Sequence, residues 1–307
     1  MSRLIIGAST HEVGTLWRYM TLDKFINLLE TSELFFTPLA LYMKGDPFEG
    51  LLPEVARNMT AGAINIIRKK MLCEIKKAEN HFSSLPDSLL QEAKLRELII
   101  HKEQLIENDQ NMNTLYLYYM KSISVNCWHE NDQESEAMWR LYNDSNEGIA
   151  IKSSVSSINN SFANSNQDYE IKIGKVKYID YFNPLLTYGD CLVDGDIAPL
   201  LKRKSFSHEI EVRLYIHSNR ELHHPHDIDE QLEFAKLPVE SYIKRVKIDL
   251  NSMLEGIYIS PYAKVLFQTK VKAICKQFSI DEKMVHNSGL LDGFEDLLNL
   301  LKESDYD

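Results

Sequence analysis

Apolar positions recur along this chain in two rhythms, every second residue and every third to fourth, and the changes between them outline the elements. LWRYMT, from Leu16, alternates and favours β structure, so it predicts a strand. LDKFINLLE then places Leu22, Phe25, Ile26 and Leu29 at helical spacing. ELFFTP predicts a second strand stopped by Pro38. KGDPFEGLLPE follows, and its glycines and prolines mark a turn-rich loop.

From about Pro53 to Met120 the pattern changes. Glu, Lys, Ala and Leu dominate, glycine nearly disappears, and prolines fall only at Pro53 and Pro86. Both prolines suit helix starts, and Pro86-Asp87-Ser88 separates two helices. The pattern predicts a helical hairpin, Glu54–Phe82 and Asp87–Gln110, then a further helix through Tyr116 and Met120. Its charged faces suit either an insertion that meets a partner or an ordinary helical layer of the same core.

Beyond Ser124 the elements are mixed. ISVNCW predicts a strand, ESEAMWRLYND a helix ending near Gly148, and GIAIKSS another strand. SSINNSFANSNQD is polar and reads as an exposed loop. EIKIGKVKYIDY alternates as a strand or hairpin; EIEVRLYIH, YIKRVKIDL and GIYISP predict strands, and KMVHNS a late one. PYAKVLFQTKVKAICKQF and the closing LDGFEDLLNLLKES predict helices. Strands precede, interrupt and follow helices, with many connections too short for crossovers. This predicts one α+β domain over 1–307, a mixed and mostly antiparallel sheet with 54–120 inserted as helices.

Composition narrows the function classes. The chain has 44% hydrophobic and 26% charged residues, which excludes wholesale disorder. Its net charge of -11 gives no general attraction to nucleic acid or anionic membranes. No apolar run approaches the ~20 residues of a membrane span, and the start lacks a signal-peptide layout. Four scattered cysteines (Cys73, Cys127, Cys191, Cys275) with no CxxC pair fit a reducing, cytoplasmic setting. The motifs of Rossmann dehydrogenases, P-loop NTPases, zincins and α/β-hydrolases are absent.

The segment KRKSFSHEIEVRLYIH carries the densest chemistry. Read as a strand, Ile210, Val212, Leu214 and Ile216 face the core, while Glu209, Glu211, Arg213 and Tyr215 share the other face. Paired carboxylates there suit orientation of a sugar hydroxyl and stabilisation of an oxocarbenium-like transition state. A solvent face with a cross-strand ion pair is the alternative. Arg18, opposite Trp17 and Tyr19 and followed by Thr21, suits a phosphate or ribose through its guanidinium fork, or a structural carboxylate. Arg18 is further expected on a strand next to that of Glu211, within hydrogen-bonding or one-water reach. Trp128 and His129 suit stacking at a cleft; Ser135, Met138, Trp139 and Tyr142 form a helical stripe that suits core. Asp46 and Glu49 in GDPFEG suit a turn with a local cap, or a cation. Lys202, Arg203 and Lys204 read as a local basic patch or a solvated element end, and the HHPH cluster (His223, His224, His226) as a Pro-containing, acidic loop or a set of metal ligands.

Taken in order, these segments resemble an uncharacterised bacterial family, a domain of unknown function. The resemblance rests on Leu16, Arg18 and Tyr19; Asp46 to Glu49; Trp128, Met138, Trp139 and Tyr142; Lys202 or Lys204 with Phe206, Glu209, Glu211 and Arg213; and GIYISPYAK. It covers most of the chain outside the 54–120 helices. A further likeness joins Arg18, then Ser135 or Tyr142, then Glu209-x-Glu211 to ADP-ribosyltransferases of the arginine-first class, although the Ser-Thr-Ser motif is missing. That likeness implies a nucleotide-binding protein with NAD as co-substrate rather than a tightly held cofactor. Glu211, assisted by Glu209, would be catalytic. Arg18, Thr21, Trp128, Tyr142 and Arg213 would bind the substrate. The alternative is a non-catalytic module that engages a protein partner through the 54–120 helices.

Overall fold

The computed structural model describes residues 3–142, 146–163, 170–217 and 228–291. The chain opens with β1 (Arg3–Ile6), β2 (Thr15–Thr21), α1 (Leu22–Thr31), β3 (Glu33–Pro38) and α2 (Leu39–Tyr42). Two long helices follow, α3 (Glu54–Phe82) and α4 (Ser88–Ser122). Next come β4 (Ile123–Glu130), α5 (Glu136–Leu141), β5 (Gly148–Ser154), α6 (Val155–Ser161), β6 (Glu170–Lys175) and β7 (Lys177–Ile179). The rest comprises β8 (Leu201–Arg203), β9 (Glu211–His217), α7 (Ile228–Lys236), β10 (Lys244–Lys247), α8 (Leu250–Met253), β11 (Gly256–Ile259), α9 (Val265–Gln277) and β12 (Val285–Asn287).

Among the described residues, ten strands form one mixed sheet in the order β1-β6-β9-β4-β2-β5-β11-β12, with β3 joining β4 and β10 joining β3. Only β1 with β6 and β11 with β12 run parallel; the other pairings of this sheet are antiparallel. The fold is therefore α+β and mostly antiparallel. One face carries Leu16, Trp128, Ile151, Val212, Leu214 and Ile257 in a core covered by Phe25 of α1, Ile158 of α6 and Phe267 of α9. The other packs Val125 and Tyr215 against Leu39, Met120 and the segment Ala198–Leu201.

The helical insertion is a hairpin of two helices, not three. Asp87 caps the second, its Oδ1 accepting from the amides of Leu89 (3.0 Å) and Leu90 (3.2 Å), and the helix then runs unbroken to Ser122. No glycine or proline interrupts residues 88–122, so nothing breaks the hydrogen-bond ladder. Among the described residues, the inner ends of the hairpin are anchored through buried Ala56, Tyr118 and Met120.

SSINNSF is not an exposed loop. The Ser154 hydroxyl caps the Ser157 amide at 3.2 Å, and Ile158 and Phe162 turn into the core, making α6. The closing LDGFEDLLNLLKES falls almost wholly outside the described residues, as does the HHPH cluster. No helix among the described residues is long and apolar enough to cross a membrane.

Candidate functional site

The site begins where two strands part. β2 pairs with β4 only at Leu16–Glu130 and Trp17–His129. Beyond that, β2 continues along β5 to Thr21, while the free edge of β4 is taken by β3 at Thr37–Val125. The wedge between them opens into a cavity of about 790 Å³. Its walls include Arg18, Tyr42, Cys127, Tyr142, Glu209 and Glu211.

On β2, Arg18 falls in the register of Leu16 and Met20, on the face opposite that of Glu211. It reaches the same cavity because the split leaves no sheet behind it. One strand, β4, separates β2 from β9, so Arg18 is not on a neighbouring strand of Glu211 as the sequence suggested. No hydrogen bond or ion pair joins the two among the described residues. Burial lowers the pKa of Arg18, and the titratable groups around it are the Tyr42 and Tyr142 phenols and the Cys127 thiol. No carboxylate is among them. Arg18 is thus a half-buried guanidinium without a counter-ion among the described residues.

The opposite wall is a buried ion network. Arg213 donates to Glu211 Oε2 at 2.5 Å, to Glu49 Oε1 at 2.7 Å and to the Pro199 carbonyl at 3.1 Å. Lys202 Nζ lies 2.5 Å from Glu209 Oε2, 2.8 Å from Glu211 Oε1 and 3.6 Å from Glu49 Oε2. Arg203 pairs with Asp46 at 2.5 Å and lies over the Phe48 and Phe206 rings. Glu49 and Arg213 side chains are each 2% exposed. Charges so buried are tolerated only because each meets a partner.

Burial works against ionisation of Glu211, but Arg213, the hydrogen bond to Glu209 and Lys202 together hold its pKa well below the carboxylate range. Glu209 moves the other way. Burial first, and then contact with Glu211, push it up to about 8, with Lys202 only partly opposing this. His129 sits beside it, and its Nδ1 is 2.6 Å from the Glu209 carbonyl. A carbonyl only accepts, so Nδ1 carries the proton. Burial lowers the His129 pKa, and its Nε2 has no partner among the described residues.

Several expectations need correction. Glu209 is not on the strand: it ends a 3-10 helix, Lys204–Glu209, and β9 starts only at Glu211. Ile210 between them takes a left-handed conformation (φ 39°) and is 38% exposed, so it is not core. Glu211 and Arg213 do share a face of β9, with Val212 and Leu214 buried behind, but that face is itself closed over by Glu49 and the Pro199–Lys202 segment. The ion pairing makes this burial possible. Lys202 is no solvated element end but the hub of the network. Asp46 does cap its turn, accepting from the Phe48 amide at 3.0 Å, but both acidic residues of GDPFEG also bind distant arginines.

The cavity brings together Arg18, Trp128, Tyr142, Glu209, Glu211 and Arg213. Thr21 is not among its lining residues; its hydroxyl is turned to Asp23 at the start of α1. Trp128 is 2% exposed and its indole N–H donates to Asn126 at 2.8 Å, so its ring is committed to the core. Tyr142 is 46% exposed as a residue, yet burial around its hydroxyl raises its pKa. Glu49 and Lys202 were underrated by sequence reasoning. The Lys202-to-Glu209 spacing was the available signal for the second; nothing local marked the first.

No family model, no curated protein and no solved structure matches this chain.

Proposed function

We propose that the cavity binds a phosphate-bearing small molecule of nucleotide type, and that its chemistry is ADP-ribosyl transfer or hydrolysis with NAD as co-substrate. The observation that carries this reading is Arg18, a guanidinium in a deep cavity with no anion beside it among the described residues. A buried cation favours a ligand that brings the missing charge, and a guanidinium holds phosphate through paired N–H donors. Tyr142 offers an exposed ring for stacking on a base. Glu209 lines the same cavity and faces the part of the ligand away from Arg18. Both Glu211 oxygens are already engaged by Lys202 and Arg213, so Glu211 holds Glu209 in place rather than reacting itself.

The test is direct. Purified protein with labelled NAD and cell lysate should yield labelled macromolecules or free nicotinamide, and calorimetry should detect NAD, ADP-ribose or AMP. Absence of both turnover and binding would remove the proposal.

A second reading is favoured by the outer part of the helical hairpin. Ile66 and Ile67 on α3 and Ile99 and Ile100 on α4 are each more than half exposed, which suits a protein partner. Deleting 54–120 would also remove buried Ala56 and Met120, so the cleaner test is charged substitution of Ile67 and Ile100. Partner recovery that survives both changes would rule out this surface.

A further inference from the structure

The ion network contains one carboxylate too many. Glu49, Glu209 and Glu211 face Lys202 and Arg213, while Asp46 and Arg203 offset each other. All of Glu49 and Glu211 is spoken for: Glu49 by Arg213 and Lys202, Glu211 by the same two cations and, at its backbone amide, by the Tyr178 hydroxyl at 2.8 Å. Glu209 has only Lys202 and the neighbouring Glu211 carboxyl.

Among the described residues, no other element supplies the missing positive charge. From β4, Cys127 stays a neutral thiol and His129 a neutral imidazole, since burial disfavours the charged form of each. Tyr142, just after α5, and Tyr178 of β7 stay neutral phenols for the same reason. Arg18 lies on the far side of the β2–β4 split, with no ion pair to either glutamate among the described residues. Two carboxyls in contact, one of them fully enclosed, cannot both ionise cheaply.

We propose that Glu209 and Glu211 share one proton at neutral pH, and that Glu209 presents it to the cavity as an O–H donor for a neutral carbonyl acceptor on the ligand. This specifies the end of the ligand remote from its phosphate as an amide or ring carbonyl, and that half of the proposal rests on the nucleotide reading above. The side chain of Glu209 is 13% exposed and that of Glu211 7%, so Glu209 is the more accessible of the two. An anionic group there would meet Glu211. With Glu209 neutral, the network itself is neutral and presents a hydrogen-bond donor to the cavity.

The proton can be read without any ligand. Protein labelled with carbon-13 at the glutamate carboxyls, titrated by NMR, should show one carboxyl changing near pH 8, and Glu209→Gln should remove that transition while leaving the fold intact. If all carboxyls of the network are ionised by about pH 6, the shared proton is refuted, and Arg18-dependent nucleotide binding is unaffected. Binding is the second arm. Only the protonated form donates, so wild-type affinity for NAD should fall about 30-fold from pH 6.5 to pH 9.5. Glu209→Gln, a permanent amide donor, should bind with little pH dependence over that range. Wild-type binding equally tight at both pH values overturns the donor role. Failure of NAD, ADP-ribose and AMP to bind at either pH overturns the acceptor half together with the nucleotide reading.

Discussion

Arg213 and Glu49 lie 164 positions apart in the chain and meet at 2.7 Å, each with a side chain only 2% exposed. This contact pins the loop after α2 onto β9 and closes one end of the cavity. Removing either partner leaves an unbalanced charge in a dry place. Glu49→Ala or Arg213→Ala should each cost about 3–5 kcal/mol in urea unfolding. The double variant should cost clearly less than the two losses added together. Additive losses would show that the two side chains do not act as a pair.

The carboxyl pair also links stability to pH. The folded-state pKa of Glu209 lies above its unfolded value, so its contribution is fully present below the unfolded pKa and is lost as pH rises through about 8. Glu211 is depressed, so its contribution is present above the unfolded pKa and lost only under strongly acid conditions. Wild type should therefore lose stability relative to Glu209→Gln as pH rises from about 4.5 to 8. Denaturant midpoints measured across that range check this. A constant difference between the two proteins would contradict it.

Ile210 holds a left-handed backbone that a β-branched side chain resists, at a cost of about 1–2 kcal/mol. Its side chain is 38% exposed and gives back little by burial. Ile210→Asn should thus leave stability unchanged or raise it by about 1 kcal/mol, since asparagine tolerates this conformation. A marked loss of stability would mean that the Ile210 side chain makes a packing contribution that its exposure conceals.

Much of this architecture was legible in the chain. GIAIKSS marked β5 because its β-branched isoleucines favour a strand, and the Pro53-to-Phe82 composition marked α3 because strong helix formers dominate and glycine is nearly absent. Serine-rich α6 was missed, since its helical character rests on a cap and two buried residues, Ile158 and Phe162. The site was legible in its residue types and not in its geometry. Apolar alternation carried the strand reading back through Ile210, whereas the left-handed turn there throws Glu209 off the strand and toward Lys202. Long-range ion pairs such as Arg203–Asp46 leave no local trace in one sequence. The parting of β2 from β4, which lets Arg18 reach the cavity, depends on β3 claiming the β4 edge.

Whether Arg18 awaits a ligand anion or serves the fold is read from Arg18→Gln. Glutamine keeps polarity and removes only the charge. The account predicts an unfolding free energy within about 1 kcal/mol of wild type, because no described residue loses an ion-pair partner. It predicts at the same time a loss of NAD or ADP-ribose affinity of about 10- to 100-fold, the value of a charge-assisted contact. Unchanged affinity in Arg18→Gln, or a collapse of stability of several kcal/mol, would contradict it.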